Sequence, residues 1–412
     1  MKTVFLFLLS FAIITMGACQ KEVVDNEEMK TIRLNEKSSR LVEADNAFGL
    51  ELFQQIRAES EAENIMISPL SISVALAMAY NGAEGETRDE MEETLRLNGL
   101  TAAEINASYE MLIEALQSLD DEVIFEIANA IYYAEGFSVK PGFLELNETV
   151  YDAKVESLNF SAPSAVETIN SWVAEKTRDK IPQIIEQLNP LDRMVLLNAI
   201  YFNGIWSQQF DEEGTHKLDF IKSEEVTLKV PMMNKREELE YTANDLFKAI
   251  RMPYGNGQYN MVVFLPVNAH HSQDVIDAFS ASNWKNWMGS FESTERVEVT
   301  MPRFKFSFET GLNNVLKKMG MEKAFLADLA DFSGITEEDL YISTVKHKSF
   351  IDVNETGTEA AAVTGIVFTT TSIENDPPVP FFVDRPFVFA ITESDTNAIL
   401  FIGEVKHPEY NE

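Results

Sequence analysis

The chain has 412 residues, of which 45% are hydrophobic and 24% are charged, so it is long enough to bury a large core. Its 67 acidic residues outnumber 33 basic ones and give a formal net charge of −34, which argues against nucleic-acid binding because such a surface repels phosphate backbones. No linker-like or low-complexity run and no regular internal repeat divides the sequence, so we expect one large mixed domain.

Residues 1–18 have the pattern of a secretion signal. Lys2 supplies a positive start, and the apolar run that follows is too short to span a membrane as a helix. The run ends at Cys19, the only cysteine, and the sequence Met-Gly-Ala-Cys resembles a bacterial lipoprotein box, in which the cysteine is lipidated and becomes the new N-terminus. The alternative is ordinary secretion with a free cysteine. A single cysteine excludes an internal disulfide.

Residues 20–40 are polar and aperiodic, which predicts a flexible tether between the anchor and a folded domain at 41–412. The expected location is the bacterial outer membrane, with the lipid as the only contact with the bilayer. The sequence Gln20-Lys21-Glu22 loosely resembles a surface-export signal of some bacterial lipoproteins, so the cell surface and the periplasmic face both stay open.

The predicted elements begin with helices and end with strands. Ser68 and Pro69 supply the cap and first residue of a helix that is apolar on most sides and should be buried. The helical segments are 41–57, 69–80, 87–95, 101–116, 166–181 and 313–319. The strand segments are 123–133, 194–206, several within 225–266 around a turn at 255–257, 350–354, 387–391 and 399–405. This order predicts an α+β protein with large antiparallel sheets.

The residues needed for catalysis or metal binding do not occur in recognisable arrangements. No H-E-x-x-H, G-x-S-x-G or G-x-G-x-x-G sequence is present. His270 and His271 are adjacent, so their side chains point apart, and no nearby cysteine completes a metal site. We therefore expect neither an enzyme nor a metal or cofactor.

The stretch ETGTEAAAVTGIVFTTTS at 355–372 follows a predicted strand and contains small and extended-favouring residues without proline. Side chains alternate between the two faces of a strand. The small residues on one face, Thr358, Ala360, Ala362 and Thr364, could slide between existing strands, while Glu359 points the other way. The pattern fits both a loop and a buried central strand.

Several segments together resemble the serpin family, and the match runs from about residue 41 to 408. The segments are 64–82 (NIMISPLSISVALAMAYNG), 169–181 (INSWVAEKTRDKI), 198–206 (NAIYFNGIW), 350–364 with GTEAAA, and 384–403 (DRPFVFAITESDTNAILFIG). The resemblance implies three sheets, eight or nine helices and an exposed reactive-centre loop at about 355–380. It also implies a metastable fold: a protease forms an acyl-enzyme with this loop, and the cut loop then inserts into the main sheet and distorts the protease.

The resemblance also assigns roles to individual residues. The hinge of the loop comprises Glu355, Gly357, Thr358, Glu359, Ala360, Ala361, Ala362 and Thr364. A polar cluster at which the sheet opens comprises Ser68, Ser71, Asn198 and His347. Trp206 lies at the top of the sheet, where insertion begins, and Arg303 forms a charge pair with Glu355 in that region.

Counting sixteen residues from Glu355, as in the family, places the reactive bond between Thr371 and Ser372, with Thr370 or Ser372 as alternative sites and Phe368 a weaker one. No Lys or Arg lies between Lys348 and Arg385, so trypsin-like enzymes lack an anchor. We expect a monomeric inhibitor of elastase-like or subtilisin-like serine proteases, and papain-like cysteine proteases stay open as targets. Residues 101–122 contain no basic residue, so heparin should not activate it. The alternative is a non-inhibitory serpin that proteases merely cleave.

Overall fold

Nine α-helices and two β-sheets form from the residues that the computed structural model describes, which are 30–189, 191–267, 269–359 and 377–410. All of these elements lie in the unit Thr31–Glu412. The α-helices are α1 (Glu36–Glu59), α2 (Pro69–Tyr80), α3 (Gly85–Thr94), α4 (Ala102–Ser118), α5 (Pro141–Val150), α6 (Pro163–Lys176), α7 (Ser272–Asp277), α8 (Ala281–Met288) and α9 (Asn313–Lys318).

Fifteen strands form from the remaining parts of the described sequence. They are β1 (Asn64–Ile67), β2 (Val123–Ala134), β3 (Lys154–Leu158), β4 (Met194–Ile205), β5 (His216–Ile221), β6 (Thr227–Ala243), β7 (Phe247–Tyr254), β8 (Tyr259–Pro266), β9 (Glu292–Pro302), β10 (Phe304–Gly311), β11 (Lys346–Val353), β12 (Gly357–Thr358), β13 (Val379–Phe382), β14 (Phe387–Glu393) and β15 (Ile399–Val405). The α+β class is confirmed.

The start of α1 changes the predicted domain boundary. Asn35 caps this helix by accepting from the backbone N–H of Lys37 and Ser38 at 2.8 and 3.0 Å, and Ile32 before it is buried. The predicted tether therefore ends before residue 36, not at residue 40. The apolar periodicity hid this boundary because the first turn of α1 is mostly polar.

The end of α6 also differs from the prediction, which extended the helix to residue 181. Arg178 and Asp179 follow the helix with φ angles of 49° and 63°, in the left-handed region that few non-glycine residues adopt. The Thr177 hydroxyl accepts from the N–H of Ile181 at 3.1 Å. The helix therefore ends at Lys176, and the chain turns toward β4.

Two hydrogen-bonded sheets result, where the resemblance implied three. One has nine strands in the order β1-β15-β14-β8-β7-β6-β9-β13, with β5 paired to β6. Its β6 pairs with β5 at one end and β7 at the other, and this long strand joins two regions into one sheet. The second sheet has six strands in the order β10-β11-β12-β4-β2-β3.

Helix α2 lies between these layers, as its apolar sequence predicts. Eleven of its residues are buried, and its N-terminus is capped by the Ser68 hydroxyl, which accepts from the N–H of Ser71. A helix that is apolar on all sides cannot lie on a surface. Its burial places Ser68 and Ser71 against the inner face of the six-stranded sheet, where functional residues are expected.

A buried carboxyl group joins α1 to α4. Tyr109 on α4 donates to Asp45 Oδ1 on α1 at 2.8 Å. Asp45 Oδ2 has no hydrogen bond within the described part of the chain. Because burial disfavours the charged form, the pKa of Asp45 rises from 3.8 to about 7.

We predict that Asp45→Asn stabilises the protein at pH 8. The folded-state pKa lies above the unfolded one, so wild-type stability falls as pH rises from about 4 to about 7, and the neutral amide avoids this loss. The gain at pH 8 is at most about 4 kcal/mol, since each pKa unit corresponds to 1.36 kcal/mol. Thermal unfolding of both proteins at pH 5 and pH 8 measures it. Glu43→Gln, an exposed change on the same helix, is the control; an equal shift at both pH values would contradict the prediction.

Candidate functional site

The hinge of the predicted reactive loop has already entered the six-stranded sheet. Gly357 and Thr358 form β12, in which Gly357 pairs with Ile205 and Thr358 with Gly204 of β4. On the other side, Thr358 pairs with Val353 of β11. The first four residues of the predicted exposed loop, 355–358, are buried. Of these, Gly357 and Thr358 pair with β4, and Thr358 also pairs with β11.

Gly357 is required by the close approach of two backbones. A Cβ atom at this position would lie 2.1 Å from the carbonyl oxygen of Gly204, which no side chain tolerates. Gly357 therefore lies against the backbone of Gly204, the residue next to its register partner Ile205. Any larger residue at position 357 must move the strand out of the sheet.

Trp206 and Tyr254 hold the entrance through which β12 passes. Their rings are stacked with centroids 4.3 Å apart and planes at 12°. The Trp206 indole donates to the carbonyl of Asn354 at 2.9 Å, and its backbone N–H donates to the carbonyl of Thr356 at 2.9 Å. The Tyr254 and Thr358 hydroxyls hydrogen bond at 2.5 Å. Burial raises the pKa of Tyr254, so its hydroxyl stays neutral.

Arg303 and Glu355 are in contact at the same entrance. Arg303 Nε donates to Glu355 Oε1 at 2.6 Å, and the Thr215 hydroxyl donates to the same oxygen. The Glu355 side chain is only 4% exposed and that of Arg303 19% exposed. Because the carboxylate is buried, removing its cation costs more than the loss of a surface pair would.

The four residues of the sheet-opening cluster come together further along the gap. Ser68 N–H donates to His347 Nε2 at 3.2 Å, and the Ser71 hydroxyl donates to Asn198 Oδ1. Asn198 in turn donates to Asn129 Oδ1 at 2.7 Å. Burial lowers the pKa of His347 to about 4, so the ring is neutral at physiological pH and can accept from Ser68.

Below β12, the facing edges of β4 and β11 have no strand between them within the described ranges. A cavity of about 350 Å³ lies in this region, lined by side chains of α2, β4 and β11 that include Ser71, Asn198 and His347. The segment after α6 crosses the gap, and Lys348 on β11 donates to the carbonyl of Gln183 in that segment at 2.9 Å. The sheet is thus open along the path that a longer inserted strand would take.

The remaining predicted site residues lie outside the described residues. They are Cys19, Ala360, Ala361, Ala362, Thr364, Thr371 and Ser372. Three contact residues were missed by the sequence analysis: Tyr254, Lys180 and Asn203. Tyr254 directly precedes the recognised turn at 255–257, and Asn203 lies within the recognised segment 198–206, so position gave a signal for both. Lys180 also lies within a recognised segment, 169–181, but its partner Glu359 is far away in sequence, so the contact itself gave no local signal.

Two kinds of feature are absent from the described residues. None of their helices is long and apolar enough to cross a membrane. No group of three or more His, Cys, Asp or Glu side chains in this part of the chain could hold a metal ion.

Comparison with known proteins gives consistent matches over nearly the whole folded unit. The sequence profile described as Serpin (serine protease inhibitor) matches residues 43–408. A serpin-like protein of Methanosarcina acetivorans is 35% identical over 377 residues, covering 90% of this chain and 88% of the relative. Serpin B6 of Pongo abelii is also 35% identical, covering 89% of this chain and 99% of that protein.

Two solved structures have a similar fold. Human thyroxine-binding globulin superposes with a TM-score of 0.82 at 31% identity, covering 91% of this chain and 100% of the other. The thermophilic serpin tengpin in its native state gives a TM-score of 0.81 at 32% identity, covering 92% and 96%.

We predict that Arg303→Met lowers the thermal midpoint of the native protein, because it leaves the Glu355 carboxylate buried without its cation; such losses reach about 3–5 kcal/mol. Adding Glu355→Gln should restore most of the midpoint, since the neutral amide needs no cation. Circular dichroism of the wild type, both single variants and the double variant measures the coupling. A double variant less stable than Arg303→Met would contradict this account.

Proposed function

Since the chain belongs to the serpin family and shares its fold, we propose that it is a suicide inhibitor that traps endopeptidases covalently. The family consists in general of protease inhibitors rather than catalysts, and we include this chain among the inhibitors. The observation that supports the proposal is β12: two hinge residues already occupy the sheet, and the gap between β4 and β11 continues beyond them.

The proposed reaction begins as ordinary proteolysis. The protease nucleophile attacks the carbonyl carbon of Thr371, the Thr371–Ser372 peptide bond breaks, and the released amine of Ser372 takes the proton. Thr371 remains esterified to the protease, as a thioester for a cysteine enzyme. Continued insertion of the loop behind β12 then moves the attached protease and distorts its catalytic site before water can hydrolyse the ester.

The driving force is the pairing of strand edges. An inserted strand forms ladders with both β4 and β11 and satisfies backbone groups that water satisfied before. It also buries apolar surface, worth about 25 cal/mol per Å². The uncut protein is then a kinetically trapped state whose lifetime depends on the barrier to insertion.

Inward hinge positions must be small and neutral for this insertion. Thr358 meets this requirement: its side chain is 3% exposed and its hydroxyl bonds to Tyr254. A charge at this position would be buried without a partner, which is strongly unfavourable.

We propose elastase-like or subtilisin-like proteases as targets, with papain-like enzymes as a further class. The residues around Thr371 are small or apolar and uncharged, and no Lys or Arg lies between Lys348 and Arg385.

The exposed carboxylates of α4, among them Glu110 and Glu114, have no basic neighbour within 101–122, so we propose that sulfated polysaccharides do not accelerate inhibition.

We predict a denaturant-stable complex, near the summed mass of inhibitor and protease, with an elastase-like or subtilisin-like enzyme. It should be accompanied by a released peptide that starts at Ser372. A trypsin-like enzyme should give neither product, and heparin should not change the rate. Denaturing gels and mass spectrometry of the peptide measure these outcomes.

The matched controls are Thr358→Arg and Thr358→Val. The arginine variant should be cut at the same bond without forming a complex, because a charge cannot enter beside Tyr254, whereas the valine variant should still trap. Clipping of the wild type by every protease, with no complex, would favour the alternative of a non-inhibitory binding protein, a class suggested by the likeness to thyroxine-binding globulin.

We also propose that Cys19 is lipidated and holds the protein in the bacterial outer membrane, on either of its faces. Replacing the cysteine removes the acceptor thiol without touching the residues of the fold. Cys19→Ser should therefore shift the protein from the membrane fraction to the soluble fraction and abolish incorporation of labelled fatty acid. Equal labelling of both proteins would reject the anchor.

A further inference from the structure

Glu359, the residue that follows β12, is held by three different elements. Its backbone N–H donates to the carbonyl of Asp352 on β11 at 2.7 Å. Its carbonyl accepts from Asn203 Nδ2 on β4 at 2.7 Å. Its carboxylate oxygen Oε1 lies 2.8 Å from Lys180 Nζ in the segment after α6.

The backbone at Glu359 is in a conformation that a strand cannot use. Its φ angle is 62°, in the left-handed region that is unfavourable for a residue with a Cβ atom. This conformation interrupts β12 after Thr358. A residue held in such a conformation persists only when its surroundings impose it, and the contacts with Asp352, Asn203 and Lys180 are those surroundings.

The side chain of Glu359 is buried although it is acidic. It is 6% exposed, whereas that of Lys180 is 37% exposed. Lys180 Nζ also lies 5.3 Å from the centre of the Phe350 ring, which keeps it over the gap between β4 and β11. Loss of the lysine would therefore leave a buried charge without its cation, whereas loss of the carboxylate would leave the lysine partly solvated.

We propose that Glu359 fixes the resting depth of the reactive loop in the sheet at two residues, and that Lys180 and Asn203 are the positioning residues that hold it there. The proposal rests on the proposed function, because it concerns the loop that the inhibitor must insert. It assigns to these residues the resting position of the hinge: Gly357 and Thr358 are in the sheet, and the strand is interrupted at Glu359.

The charge on Glu359 determines how each substitution should affect the position of the hinge. Without Lys180, the buried carboxylate lacks a cation, and it can regain solvation only if the hinge leaves the sheet. Neutralising Glu359 as well removes that need, and the hinge should return. Removal of the Asn203 amide should act in the same direction as loss of Lys180 but more weakly, because only one neutral hydrogen bond is lost.

Hydrogen exchange of the full-length chain tests this, read by mass spectrometry on peptides that span residues 354–359. Lys180→Met should raise the exchange rate of the β12 amides by about tenfold or more, as expected for opening of a locally destabilised element. Lys180→Met/Glu359→Gln should restore the wild-type rate, and Asn203→Leu should give an intermediate rate. Lys176→Met is the matched control, because it also removes one lysine charge, in this case from the end of α6.

A pH series separates this role from a merely structural one. Burial raises the pKa of Glu359, and the contact with Lys180 opposes this. The hinge-inserted state thus binds the proton more tightly, and acidification favours it. The other titratable or charged groups near Glu359 are Arg178, Tyr201 and Asp352, the last of which is paired with Lys305 at 2.9 Å. Lys180→Met should regain protection between pH 8 and pH 5, and the double variant should not respond.

The outcomes distinguish this proposal from the proposed function. Unchanged exchange in Lys180→Met, or failure of Glu359→Gln to restore protection, would reject the role of Glu359 even if the protein traps proteases. Conversely, the predicted exchange pattern in a protein that forms no complex would support the role of Glu359 and reject inhibition. A Lys180→Met variant that exchanges rapidly in every peptide, with no rescue, counts against the proposal, because the effect is then not local.

Discussion

The structure depends on the two facing edges of β4 and β11, which in the described part of the chain are joined only through the two residues of β12. Backbone N–H and C=O groups along a strand need partners, and an edge without them is a site for strand addition. Most proteins cover or pair such edges. Here, within the described residues, the paired strand ends at Thr358, with one further backbone hydrogen bond from Glu359 to Asp352, and a cavity and a crossing segment lie beyond it. The fold therefore retains a position for one more strand, which is the physical basis of the proposed activity.

The residues around this position suit a strand that must enter without disturbing the core. Gly204 and Gly357 allow two backbones to approach closely, and Trp206 and Tyr254 provide a rigid stacked surface beside them. At the other end of the gap, Ser68, Ser71, Asn198 and His347 are joined by hydrogen bonds. Hydrogen bonds that involve polar side chains can be exchanged for others at little net cost, whereas interlocked apolar side chains would resist separation. These polar contacts with β4 and β11 thus permit the sheet to open.

The sequence predicted most long elements because their patterns are local. Helix α2 is continuous and apolar, α4 has a capping box, and β2 and β4 are long runs of strand formers. The hinge and the sheet-opening cluster were assigned through family resemblance, and the members of the cluster are far apart in sequence. What the sequence could not predict is the depth of insertion, because the two-residue strand depends on long-range contacts. The left-handed conformation of Glu359 and its pairing with Lys180 have no local signal for the same reason.

The scarcity of basic residues gives these contacts more significance. With 33 basic against 67 acidic residues, most carboxylates have no cation available. Yet three cations pair with acidic residues of β11 and the hinge: Arg303 contacts Glu355, Lys180 contacts Glu359 and Lys305 contacts Asp352. Each of these carboxylates belongs to β11 or the hinge, and each is largely buried. Unpaired, they would repel one another within a few residues of sequence and expel the hinge. These three ion pairs therefore contribute more to stability than an exposed surface pair, which is worth about 0–1 kcal/mol. They permit an acidic hinge to remain inside a sheet that still has a gap between β4 and β11.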